Sequence, residues 1–132
     1  MNTRVIFSAI QKEHNVLLGN ITFSDTEANI GNGMNPDTGV FNVPVSGIYS
    51  FSFSACTNTK DRDTEIRVFK NGEIQFWFHN YNENDQSDNN IGYTWTMSLV
   101  QNDQINLQLF SNELIGYMYE FVWFNGQLLM KQ

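Results

Sequence analysis

Residues 80–90, Asn80-Tyr81-Asn82-Glu83-Asn84-Asp85-Gln86-Ser87-Asp88-Asn89-Asn90, crowd carboxylates and amides into one short span. Hard oxygens at this density are what calcium, with about six to eight oxygen ligands, requires. A hydrophilic loop whose charges only keep it wet has the same composition. Elsewhere the chain offers little for catalysis. It has no Gly-x-Ser-x-Gly elbow, no phosphate-cradling glycine loop, no zinc-type cluster, and only two histidines, His14 and His79. Asp61-Arg62-Asp63-Thr64-Glu65 pairs carboxylates, but Arg62 sits among them at a turn and solvates them, so no acid/base pair is assigned and the protein is expected not to be an enzyme. Cys56, the only cysteine, excludes an internal disulfide; it ends an apolar strand without cationic neighbours and is expected to be a buried, inert thiol. Asn20-Ile21-Thr22 is an N-glycosylation acceptor pattern.

The elements that must position these residues are strands. From Gly47 onward, Ile48, Ser50, Ser52 and Ser54 alternate with Tyr49, Phe51, Phe53 and Ala55, so successive aromatics share one face and need a second sheet to cover them. Pro44 lacks a backbone donor and belongs at an edge or bend, while Gly47 frees the chain to turn. Ile66 and Val68 before Asn71-Gly72, with Ile74, Phe76 and Phe78 after it, predict a tight hairpin. The same reading along the chain gives about ten strands, near 4–10, 16–23, 28–31, 39–44, 47–57, 63–71, 73–80, 91–101, 104–111 and 117–130, and no helix.

Several segments, in order, resemble the C1q domain, the globular head of complement C1q, adiponectin-type hormones and short-chain collagens. They are Val5-Ile6-Phe7-Ser8-Ala9; Ile21-Thr22-Phe23 with Asn29 and Gly31; Gly39-Val40-Phe41 with Val43-Pro44-Val45-Ser46-Gly47-Ile48-Tyr49-Ser50-Phe51; Lys70-Asn71-Gly72; Leu99-Val100-Gln101-Asn102-Asp103-Gln104-Ile105; and Trp123-Phe124-Asn125-Gly126-Gln127-Leu128-Leu129. Asn102 is a departure, since many members carry glycine before the aspartate. The resemblance implies an all-β, ten-stranded, two-sheet jelly-roll sandwich of the C1q/TNF type over residues 1–132 as a single domain.

Composition agrees with that fold. The length of 132 residues suits one core, and aromatics at 14% with few alanines suit a sandwich rather than helices. A net charge of -7 with scattered lysines and arginines excludes nucleic acid as an expected partner. No apolar run reaches the roughly 20 residues of a membrane-spanning helix, so no membrane insertion is expected. The chain starts Met1-Asn2-Thr3-Arg4 and enters a strand at once, without a leader or a Gly-X-Y tract. The resemblance nonetheless implies a secreted, extracellular protein, of which this is the mature head.

The resemblance also implies a homotrimer, and since the sequence holds more aromatic surface than one sandwich easily hides, Tyr49, Tyr117, Tyr119, Trp123 and Trp77 are expected subunit contacts, although bulky residues also simply fill a monomer core. It places a calcium site near the trimer apex on Asn80, Asp88 and Asn89, with His79 where the family has an aspartate. By resemblance, the expected function is lectin-like pattern recognition in innate immunity, binding carbohydrate or a microbial surface ligand through Asp85, Asp88, Asn89, Asn90 and Tyr93. The alternative is a trimerisation or cytokine-like receptor-binding head of a collagen-linked or signalling protein. A capsid-like jelly roll sharing only architecture would not carry the ordered motifs.

Overall fold

The computed structural model describes residues 3–12, 18–57, 64–80, 89–110 and 118–132; at 56, 57, 80, 89, 90 and 118–121 the description extends to the backbone. Within these residues there are eleven strands and no helix: β1 Ile6–Gln11, β2 Gly19–Asn20, β3 Asp25–Ile30, β4 Met34–Asn35, β5 Val40–Asn42, β6 Gly47–Thr57, β7 Thr64–Lys70, β8 Glu73–Asn80, β9 Asn89–Leu99, β10 Gln104–Phe110 and β11 Met118–Lys131. They form two antiparallel sheets, ordered β3-β1-β11-β6-β9 and β4-β5-β10-β7-β8, with β2 paired to β10. The all-β jelly-roll expectation is met with one strand more than predicted. Met34–Asn35 is too short for periodicity to reveal. Of the strand predicted at 16–23, the described part holds only β2, in which Gly19 takes φ 102°. The chain then hydrogen-bonds from Ile21 N to Leu107 O and from Phe23 N to Pro36 O.

The long strand β6 behaves as its alternation requires. Tyr49, Phe51, Phe53 and Ala55 are buried against the second sheet, and Ser54 is exposed on the other face. Phe51 is the hub of an aromatic core, with ring centroids of Trp95, Phe124, Phe41, Tyr49 and Phe7 at 5.6, 5.9, 6.0, 6.2 and 6.3 Å. Phe41 on β5 packs 4.7 Å from Phe7 on β1, which ties the two sheets together. Gly47 is required for space rather than for a turn. A β-carbon there would lie 2.6 Å from Leu128 Cδ1 and overlap the Met130 carbonyl.

The remaining motif fragments are backbone clamps. Asn71 and Gly72 take φ of 54° and 82°, forming the predicted two-residue turn between Lys70 and Glu73. Asn71 Nδ2 donates to Asp103 Oδ1 at 2.9 Å, and Gln104 N donates to Asn71 Oδ1 at 2.8 Å. Asp103 Oδ2 accepts from Val100 N at 2.9 Å, closing the turn in which Asn102 stands at φ 75°. Asparagine tolerates that left-handed conformation, so the departure from glycine costs little. Asn29 likewise brackets Met34, donating to its carbonyl at 2.8 Å and accepting from its N–H at 3.2 Å.

Burial alone would raise the Asp103 carboxyl, but the bonds from Asn71 and Val100 and the nearby Lys70 hold it below the usual carboxylate range. A carboxyl lowered on folding stabilises the protein fully above its unfolded value of about 3.9, and that contribution is lost as pH falls through the folded value. Asp103→Ala should therefore cost about 1–3 kcal/mol near neutral pH, because it leaves the Val100 N–H and Asn71 amide without their acceptor. Urea unfolding at about pH 7 and about pH 2 checks this. The gap between wild type and variant should shrink in acid, and a gap that widens refutes the assignment.

Candidate functional site

Antiparallel register gathers the strand ends that flank the acidic loop. In the first sheet Thr57 lies opposite both Asn89 and Met118, and in the second Thr64 lies opposite Asn80 and Glu65 opposite Phe110. The connections 58–63, 81–88 and 111–117 all depart from these ends. Asp85, Asp88 and Tyr117 lie outside the described residues. Asn80 closes β8, and Asn89 and Asn90 open β9 opposite Thr57 and Cys56. No group of three or more histidine, cysteine or acidic side chains close enough to share a metal occurs among the described residues.

Tyr93 belongs to a different feature. β8 and β9 are edge strands of their respective sheets, and the inward side chains of both meet in an aromatic seam. The Tyr93 ring stacks on Phe78 at 5.1 Å and lies 5.8 Å from Phe76, which meets Trp95 edge-on at 5.4 Å. Trp95 is buried, and its indole N–H has no hydrogen-bond partner among the described residues. Tyr93 remains 48% exposed, so the seam continues to the surface.

On the outer face of the first sheet lies a shallow groove of about 510 Å³, rimmed by Ile6, Ser8, Ser50, Ser52, Thr94, Asn125 and Gln127 over a floor of Phe7, Phe51 and Gly126. Ser8 Oγ donates to Asn125 Oδ1 at 2.5 Å, and Asn125 Nδ2 donates to Ser52 Oγ at 3.3 Å, a short polar rung across β1, β11 and β6. Beneath it, Gly126 leaves no room for a side chain, since a β-carbon would lie 2.9 Å from Phe51 Cδ1 and closer to Phe7. The signal for this groove was the serine alternation in β6, which reads equally well as an ordinary wet face.

Tyr49 is a correction. Expected at a subunit boundary, it is completely buried in the core, where its hydroxyl donates to Val45 O at 2.7 Å and burial pushes the phenol up. Trp123 is half-buried on β11 between Ile10 and Ser54, and Tyr119 is placed by its backbone opposite Cys56. Asn20, in the glycosylation pattern, has its amide tied to the sheet edge: Nδ2 donates to Thr38 O at 2.5 Å and Oδ1 accepts from Asn106 Nδ2 at 2.7 Å.

The profile of the C1q domain matches residues 6–129, from the first residue of β1 nearly to the end of β11. This chain belongs to the C1q domain family. Complement C1q tumor necrosis factor-related protein 3 of mouse and of human is 32% identical to it over 111 residues, covering 84% of this chain. The C1q domain here spans 45% of the length of those relatives. Among solved structures, the globular domain of zebrafish complement 1qA protein superposes with a TM-score of 0.76 at 19% identity, covering 98% of this chain and 99% of that one. Murine APRIL superposes with a TM-score of 0.70 at 14% identity, covering 92% and 98%. At such identities the likeness is one of fold, and it joins this C1q domain to the tumour-necrosis-factor-like sandwich.

Proposed function

We propose that this C1q domain is the head of a secreted homotrimer that recognises carbohydrate or microbial surface ligands. The observation that carries the assembly is the presence on one chain of two unlike features: an aromatic seam that reaches the surface at the β8–β9 edge and a groove on the outer face of β1, β11, β6 and β9. Unlike patches mate heterologously, and a heterologous contact that closes makes a ring. A homotrimer is the form such rings take in C1q and tumour-necrosis-factor-like domains. In this arrangement Phe76 and Tyr93 of one copy enter the serine-lined groove of the next, and Tyr93 serves assembly rather than ligand.

Three copies then present three sets of the amide-rich segment 80–90 from one end of the head. Asp85, Asp88, Asn89 and Asn90 supply the acceptors and donors that sugar hydroxyls need. Calcium, if held, would draw on Asn80, Asp88 and Asn89, whose oxygens are of the type it prefers, and would tie the segment down. The charge of -7 per chain is tripled in the head and disfavours anionic targets. Avidity supplies affinity: sites that bind a single sugar at about millimolar strength gain about 10²–10⁴ on a repetitive surface.

Light scattering coupled to size exclusion tests the assembly, with calcium and again with chelator. A mass of three chains is expected. A change on chelation supports the metal, an unchanged trimer removes it, and a stable monomer overturns the reading.

The alternative reading, a trimerisation or receptor-binding head of a longer protein, is favoured by one observation. Val100, Leu129 and Met130 are exposed at the end of the first sheet opposite the acidic segment, where Gly47 pairs with Leu99 and Lys131. Apolar side chains there would suit contact with a flanking segment.

A further inference from the structure

The outer face of the second sheet lies on the other side of the sandwich from the groove, and it carries the most exposed of the described tryptophans. Trp77, in the middle of β8, is 56% exposed. It lies directly opposite Arg67 on β7, and Arg67 lies directly opposite Gln108 on β10. Strands about 4.8 Å apart place these three side chains in a row about 10 Å long. Arg67 is fixed within it. Its Nε donates to Glu65 Oε2 at 2.6 Å, and its guanidinium lies 3.8 Å from the centroid of the Phe110 ring. Neighbouring outward positions are also polar or half-covered, with Gln75, Asn106 and His79 among them.

Trp77 offers an exposed indole face, and the planar Arg67 guanidinium beside it is held by both Glu65 and the Phe110 ring. Together they make a flat apolar plate beside a fixed fork of donors and a planar carboxylate and amide. We propose that Trp77, Arg67, Glu65 and Gln108 form a second binding site, for a neutral oligosaccharide. One pyranose ring stacks its C–H face on Trp77, and hydroxyls of the next unit bond Arg67, Glu65 and Gln108. The ion pair leaves the row without net charge, and the acidic chain around it disfavours sulfated or phosphorylated glycans. A protein partner would need about 800 Å² of face with an apolar centre, whereas here Arg67 and Glu65 on β7 stand between Trp77 on β8 and Phe110 on β10. The ligand class rests on the recognition reading above, but the site does not.

The test uses isothermal titration calorimetry of the purified chain and its variants with chitohexaose, laminarihexaose and mannohexaose, with tryptophan fluorescence of the unsubstituted chain beside it. Trp77 is the reporter, because Trp95 is buried and Trp123 half-buried. At least one sugar should shift the emission to the blue. Trp77→Ala and Arg67→Lys should weaken binding at least about tenfold, Trp77→Tyr should restore part of it, and Glu27→Gln, an exposed substitution on β3 of the other sheet, should leave it intact. Both substituted positions on this face are surface positions, and unchanged melting confirms that the variants fold. Binding that survives Trp77→Ala and Arg67→Lys but is lost in Asp88→Asn overturns this site and keeps the recognition reading. A trimer that binds none of the three sugars overturns the site as well.

Discussion

Phe51→Ala is expected to cost about 3–5 kcal/mol of folding stability, enough to leave a domain of this size marginal or unfolded. The reason is position rather than size alone. The Phe51 ring touches aromatic partners from β1, β5, β9 and β11 as well as its own strand, so its removal opens a cavity bounded by both sheets. Rigid rings cannot swing in to fill it, which puts the cost at the upper end of what large-to-small substitutions show. Urea unfolding at fixed protein concentration measures the effect, since an assembling protein gains apparent stability with concentration. A loss below about 1 kcal/mol would mean that the sheets collapse around the gap and that the core is not held by this hub.

Ser52→Arg should convert the head to monomers and lower its avidity for a polymeric glycan by about 10²–10⁴. Ser52 lines the centre of the groove on the outer face of β6, where an arginine on a free domain extends into water at little cost to the fold. Under a neighbour's aromatic edge the same charge would be buried without a partner. Tyr93→Arg should have the same result by damaging the other half of the contact. Mixing the two variants separates the proposed geometry from any like-with-like dimer. The intact edge of the Ser52→Arg chain still fits the intact groove of the Tyr93→Arg chain, so the mixture should yield one-to-one heterodimers. Trimers that persist in either variant, or a mixture that stays monomeric, would rule out the edge-into-groove contact.

The sandwich was legible because its signals are local and redundant. The alternation through β6, the Asn71-Gly72 turn and Pro44 between strands each state a backbone requirement that the fold meets. Motif fragments that look arbitrary in sequence turn out to be paired: Asn71 and Asp103 clamp one another across 32 positions of chain. What was not legible depends on which of two similar faces is covered. Tyr49 was placed at a subunit boundary because aromatic residues in strands read alike whether they face a core or a partner. Burial follows from the face that Tyr49 shares with Phe51, and it is completed by Phe41, which packs on it from a strand of the other sheet. The groove was missed for the opposite reason, since serines and an asparagine look like any wet surface until register brings Ser8, Asn125 and Ser52 into one rung. For the acidic segment, the structure supplies the ends of its flanking strands, and Asp85 and Asp88 remain as the residue types presented them.

The place of β11 within its sheet bears on how the protein is made. It is the last strand of the domain, yet it lies between β1 and β6, pairing with Ile6–Gln11 on one side and with the long β6 on the other. While a ribosome is still adding residues, β1 has no partner on that side and β6 has only β9. The emerging chain therefore carries two unfinished strand edges and uncovered phenylalanines until synthesis has passed Gly126. Non-local pairing of this kind is slow, and exposed edges are where nascent chains associate wrongly. Holding those edges apart until the final strand arrives is a task for chaperones, and expression yield should depend on them more than on the stability of the finished domain.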